Sequence, residues 1–131
     1  MATIAERAPS TPAELRILTA EGVLLQDREP NLSIEHLRPI YEVMVRTRRL
    51  DARLAALHQQ GQVGFYAAAP SEEAASVAAA AALRPEDWVF AGRGDLGALL
   101  WRGVSVQRVL DGAFGNASDG AKGRSLPGQL G

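Results

Sequence analysis

Cysteine is absent from the 131 residues, which excludes a disulfide framework, a thiolate nucleophile and a cysteine-based zinc site. Histidine is scarce: the two residues, His36 and His58, stand far apart without metal-ligand spacing, and each reads best as a helix-surface side chain. No apolar run is long enough to cross a bilayer, so a membrane-spanning helix is excluded. The first residues, Met1 to Pro12, carry Glu6 and Arg7 and no apolar h-region, so a secretory signal is not expected and a cytoplasmic location is. The net charge is −1 with no sustained basic block, which argues against general nucleic-acid binding. A local cluster of Arg46, Arg48, Arg49 and Arg53 is interleaved with Glu42 and Asp51, and reads as a solvated or interface-facing helix surface.

Aromatic residues make up only 5% of the chain, against 47% hydrophobic residues overall. The apolar share is inflated by alanine, in Ala67-Ala68-Ala69 and Ala78 to Ala82, and alanine buries little area per residue. At about 25 cal/mol per Å² of buried apolar surface, such a core is thin against chain entropy, and the chain is expected to lean on a partner.

Residues 1–32 contain Pro9, Pro12 and Pro30, the apolar stretch Leu15-Arg16-Ile17-Leu18, and a turn around Glu21-Gly22 before Val23-Leu24-Leu25. They predict an extended arm with a small hairpin, unable to fold alone. Ser33 then predicts the N-cap of a long helix to about Gln60, with Leu37, Ile40, Tyr41, Met44, Leu50, Leu54 and Leu57 at three- and four-residue steps and Gly61 as its stop. Pro39 predicts either a kinked first turn or a helix that becomes regular only beyond it.

A loop with Phe65-Tyr66 follows, and Ser71-Glu72-Glu73 predicts a capped start to an alanine-rich helix reaching Leu83, smooth enough to approach neighbouring backbones. Trp88-Val89-Phe90 predicts a short buried segment, at most one strand, and Asp95 to Trp101 a third helix. Ser105 caps a fourth, Val106 to Phe114, and a glycine-rich loop runs from Gly115 to Gly131. Asp95, Asp111 and Asp119 read as scattered surface carboxylates, not a metal site.

Two segments carry anion-binding chemistry. Ala91-Gly92-Arg93-Gly94-Asp95 precedes a helix, so free N–H groups, flexible glycines and one guanidinium could receive an oxyanion. It is neither a Walker A loop nor a dinucleotide fingerprint, and spacing alone favours a plain turn and helix start. Lys122-Gly123-Arg124-Ser125 is a glycine-flexed basic pair, for which spacing alone favours a solvated tail.

Order and spacing over about ninety residues add what single motifs do not. Arg48-Arg49-Leu50-Asp51, Gln60-Gly61-Gln62-Val63-Gly64-Phe65-Tyr66, Glu73-Ala74-Ala75, Asp87-Trp88-Val89-Phe90, Gly97, Arg102-Gly103 and Gly115-Asn116-Ala117-Ser118-Asp119 running into Lys122-Gly123-Arg124 together resemble one family. It is the alpha subunit of the thiamine diphosphate-dependent E1 component of 2-oxo acid dehydrogenase complexes, of branched-chain or pyruvate type. The resemblance implies a mainly α chain: an N-terminal fragment of the α/β thiamine diphosphate-binding fold, with an extended arm (1–32), a partial cofactor domain (33–131) and about four helices.

The same resemblance implies oxidative decarboxylation of a 2-oxo acid with acyl transfer to lipoyl-E2. Thiamine diphosphate and Mg²⁺ would be held at the interface with an E1-beta-like subunit or a complementing C-terminal chain. It places Arg93 and Gly94 at the cofactor, Lys122 and Arg124 near phosphate, and Phe65, Leu126 and Gln129 at the substrate. No catalytic or metal-ligating residue is assigned.

Three departures stand out. Arg93-Gly94 replaces the family's Tyr-Arg pair, whose arginine grips the diphosphate. Gln129 replaces a histidine and carries no proton at neutral pH. The Gly-Asp-Gly…Asn segment that holds Mg²⁺ falls beyond residue 131, so the isolated chain is not expected to bind the cofactor or to be active. A non-catalytic binding or regulatory module that keeps E1-alpha interaction surfaces is the alternative, and an unrelated small helical adaptor the third reading.

Overall fold

The computed structural model describes residues 18–24 and 31–124. The chain divides into two units, Met1–Leu32 and Ser33–Gly131. In the first, the expected turn forms. Leu18 and Leu24 make an antiparallel bridge, the Thr19 N–H donates to the Val23 carbonyl at 2.9 Å, and Gly22 supplies the φ of +80° that so tight a reversal needs. Thr19 Oγ1 accepts from the N–H groups of Glu21 and Val23, each at 3.2 Å. The rest of the predicted arm lies outside the described residues.

The second unit holds four helices and no strand among the described residues: α1 Ile34–Gln59, α2 Glu73–Ala81, α3 Leu96–Trp101 and α4 Val106–Phe114. Ser33 is the N-cap of α1 by backbone geometry, but its hydroxyl pairs with His36 Nδ1 at 2.9 Å instead of bonding a free N–H. The helix runs through Pro39. It ends as Gly61 predicts. The Gln62 N–H returns to the Leu57 carbonyl and the Gly61 N–H to that of His58, at 3.0 and 2.9 Å, with φ +71° at Gly61.

The buried stripe of α1 is Thr47, Leu50, Leu54 and Leu57, spaced three, four and three apart. With Val63, Leu96, Leu100, Val109 and Ala113 it forms the core, in which Leu54 is fully buried. Thr47 satisfies its buried hydroxyl by donating to the Val43 carbonyl at 2.8 Å. The expected stripe fails upstream, where Leu37 and Tyr41 are exposed.

The alanine-rich helix starts differently from the expectation. Ser71 is not its cap: it sits at φ +73°, and Glu72 occupies the cap position without a side-chain bond. Glu73 does not face solvent at the helix end. It is 5% exposed and accepts from Arg48 Nε at 2.5 Å, tying α2 to α1. Glu73, Ser76, Val77 and Ala80 are the buried stripe of α2, and Gly97 of α3 lies against it. A Cβ at position 97 would collide with Ser76 Oγ and sit 2.7 Å from Val77 Cγ2.

Trp88-Val89-Phe90 is a correction to the predicted buried strand. Trp88 and Phe90 are 85% and 90% exposed and stack on each other with centroids 6.3 Å apart, no layer covering them among the described residues. The turn before them is fastened to the end of α3 by Arg102, whose guanidinium donates to the carbonyls of Arg84, Pro85 and Asp87 at 2.6 to 2.9 Å.

Ser105 caps α4 as predicted, its hydroxyl accepting from the Arg108 N–H at 3.2 Å. Asp111 and Asp119, expected at the surface, are buried because each organises the following loop. Asp111 accepts from Gln107 Nε2 and Asn116 Nδ2, both at 2.8 Å, and Asp119 from the N–H groups of Ala121 and Gly123 at 3.0 and 2.7 Å.

Two outcomes follow from this packing. Gly97→Val forces the α2–α3 contact apart, and overpacking of this kind costs about 1–3 kcal/mol, seen in thermal unfolding as a fall of several degrees. The Arg48 hydrogen bond, first among the causes, holds the Glu73 carboxyl down from 4.5 to about 2. Because the folded value lies below the unfolded one, this stabilisation is complete above pH 4.5 and is lost as pH falls towards 2. The melting-temperature gap between the wild type and Glu73→Gln should therefore close across that window. It should also narrow with added salt, since Arg48 is 68% exposed.

Candidate functional site

The site is built where the loop after α1 and the loop before α3 meet α2. Asp51 of α1 fixes the first loop, its Oδ1 accepting from the Tyr66 hydroxyl at 2.7 Å and from the Ala69 N–H at 3.2 Å. Burial, then the hydrogen bond and charge of Asp51, push the Tyr66 phenol well above its usual range, so it remains a hydrogen-bond donor at any ordinary pH. At the other end of the same loop, His58 Nδ1 contacts the carbonyl of Gly64 closely and that of Val63 at 3.4 Å. This is a structural role for a helix-surface histidine.

The second loop is shaped by Asp95, whose Oδ2 accepts from the Gly92 N–H at 2.8 Å. Gly94 has φ +93°, a conformation L side chains rarely adopt, and a Cβ there would meet the carboxylate of Glu72. With the chain turned this way, the Arg93 guanidinium lies 5.5 Å over the centroid of the Phe65 ring. Beneath it is a cavity of about 30 Å³, lined in part by Thr47, Asp51, Tyr66, Glu73, Gly92, Arg93 and Gly94. That is room for about one or two water molecules, not for a cofactor.

The structure thus brings three of the predicted site residues together: Phe65, Arg93 and Gly94. Lys122 and Arg124 fall in the loop after α4 and do not line the cavity. Lys122 has φ +50°, its N–H donating to the Asp119 carbonyl at 3.1 Å, and Arg124 Nε donates to the Ala121 carbonyl at 3.3 Å. Leu126 and Gln129 lie outside the described residues. Among those residues, no three His, Asp or Glu side chains group as a metal site, and no helix is long and apolar enough to cross a membrane.

Sequence reasoning missed how Asp51, Tyr66, Arg48 and Glu73 support this corner. Periodicity carries no signal for pairs so far apart in the chain. A signal did exist, because all four fall in the segments that carry the family resemblance.

Comparison with known proteins bears on the same stretch. The chain is 39% identical over 113 residues to 2-oxoisovalerate dehydrogenase subunit alpha 2, mitochondrial, of Arabidopsis thaliana, covering 86% of this chain and 24% of that protein. It is 32% identical over 124 residues to the 2-oxoisovalerate dehydrogenase subunit alpha, mitochondrial, of Caenorhabditis elegans, covering 94% and 28%. With the pyruvate dehydrogenase E1 component subunit alpha of Staphylococcus epidermidis it shares 38% over 93 residues, covering 70% and 25%. The chain therefore spans about a quarter of the length of these curated relatives. Residues 41–130 match the family described as "Dehydrogenase E1 component", and the chain belongs to that family, in the region of its alpha subunits.

Proposed function

We propose that the chain serves as an E1-alpha-like component of a 2-oxo acid dehydrogenase, working with an E1-beta-like subunit and delivering an acyl group to a lipoyl-E2. The observation that carries this reading is the match over residues 41–130, with relatives named 2-oxoisovalerate and pyruvate dehydrogenase alpha subunits. The family is thiamine diphosphate-dependent. That cofactor supplies carbanion chemistry at the 2-oxo carbon when bound.

Within the proposal, Phe65 forms the wall that receives the substrate's acyl side chain. Its ring is half exposed, and its loop is anchored to α1 through Tyr66 and Asp51, so the wall is held before substrate arrives. The Arg93–Gly94 loop does not fit a diphosphate cradle. The Gly92 N–H is engaged by Asp95, the Glu72 carboxylate reaches Gly94, and the Arg93 guanidinium is drawn to Phe65. Losing one charge-assisted phosphate contact costs about 1.5–3 kcal/mol, or roughly ten- to a hundredfold in affinity.

The second reading, a non-catalytic binding or regulatory module, is favoured by glycine at position 94 and by the uncovered Trp88–Phe90 pair. Calorimetric titration of the 131-residue polypeptide with thiamine diphosphate and Mg²⁺ separates the two. The enzyme reading expects no micromolar binding by the polypeptide alone and binding once an E1-beta chain is added. Binding in neither condition leaves the module reading, and micromolar binding by the polypeptide alone overturns the account of the Arg93–Gly94 loop.

A further inference from the structure

We propose that His58 is a positioning residue for Phe65: it holds the backbone on one side of that ring while Asp51 holds it on the other, so that the ring keeps a fixed place on the loop after α1. The bearing of this role on the reaction rests on the reading of Phe65 as the acyl-side-chain wall.

Phe65 is 51% exposed, so burial alone does not place its ring. The Arg93 guanidinium lies over the ring face, but two exposed side chains can keep such a contact while moving together. The position therefore comes from the backbone that carries the ring. That backbone is held on both sides. The Gly64 carbonyl accepts from His58 Nδ1, which also lies 3.4 Å from the Val63 carbonyl. On the other side, Asp51 Oδ1 accepts from the Tyr66 hydroxyl at 2.7 Å and from the Ala69 N–H at 3.2 Å.

Both anchors leave one line of α1. Asp51 and His58 are seven residues apart, which is two turns of helix or roughly 10 Å along its axis, on the same face. A single rigid element thus sets both residues that flank Phe65. The core holds Val63 and Asp51 holds Tyr66, but the peptide groups of Gly64 and Phe65 between them have no hydrogen bond among the described residues other than the one to His58. Removing that bond frees the two residues on which the ring hangs.

The direction of the His58 bond follows from its partners. Both oxygens that Nδ1 meets are carbonyls, which only accept, so Nδ1 carries the proton. In the neutral ring this is the Nδ1–H tautomer, with the lone pair on Nε2.

The test is NMR of the 131-residue chain and of His58→Ala, His58→Leu and His58→Asn. His58 is exposed, so the three variants leave the core in place. The asparagine amide nitrogen, like Nδ1, is attached to Cγ and can donate, whereas leucine cannot. At a pH where the ring is neutral, long-range proton–nitrogen spectra are expected to place the His58 proton on Nδ1. The backbone order parameter at Phe65 is expected to fall in His58→Ala and His58→Leu and to recover in His58→Asn. Isobutyramide, a neutral branched probe of the wall, should bind about two- to tenfold more weakly to the alanine and leucine variants, the range of one hydrogen bond. A proton on Nε2, unchanged order at Phe65 in His58→Ala, or an asparagine variant no better than leucine overturns the proposal. If isobutyramide leaves Phe65 unmoved in the wild type while the tautomer and the asparagine rescue hold, the acyl-wall reading fails and His58 keeps its role in placing the ring.

Discussion

The contact between α2 and α3 at Gly97 is the constraint on which the rest of the unit depends. A hydrogen in place of a methyl group lets the backbone of α3 settle onto Ser76 and Val77, and Val77 is fully buried there. The small residues of α2 serve that approach. Once α3 is seated, Leu96 and Leu100 reach the Leu50, Leu54 and Leu57 stripe of α1, and the loop before α3 is delivered to the loop after α1. Phe65 and Arg93 meet as a consequence of helix packing, not of any local motif.

Charge then finishes what the small core begins. Arg48–Glu73 ties α2 to α1, Asp51–Tyr66 ties the loop after α1 back to that helix, Asp95–Gly92 closes the turn before α3, and no buried side-chain polar atom lacks a partner among the described residues. The outer surface is another matter. Trp88, Phe90, Tyr41 and Phe114 remain about half exposed or more in a chain with only seven aromatic residues. Trp88 and Phe90 stack on each other there as a small apolar patch.

Much of the helical layout was legible because it rests on local chemistry. Gly61 stops α1 through backbone bonds, and Ser105 caps α4 through its own hydroxyl, both readable from neighbouring residues. Burial was less legible. Leu37 and Tyr41 continue the apolar period of α1 yet stay exposed, and Trp88-Val89-Phe90 has strand composition without strand neighbours among the described residues. The pairing of Glu73 is not legible for a different reason: its partner Arg48 lies in another helix, and a helix-end carboxylate looks the same in sequence whether it faces water or a guanidinium. The Phe65–Arg93 pairing was equally invisible, although both residues had been singled out separately.

The arginine of this loop is held on the Phe65 ring, one residue before the position at which the family resemblance places a phosphate-gripping arginine. The most direct measurement is the NMR signature of the Arg93 side chain in the isolated chain, through ring-current shifts and nuclear Overhauser contacts to the Phe65 ring. The account predicts upfield-shifted Arg93 side-chain protons that return to ordinary values in Phe65→Leu, with cross-peaks joining the two residues. Unshifted Arg93 protons and no contact with Phe65 would contradict it.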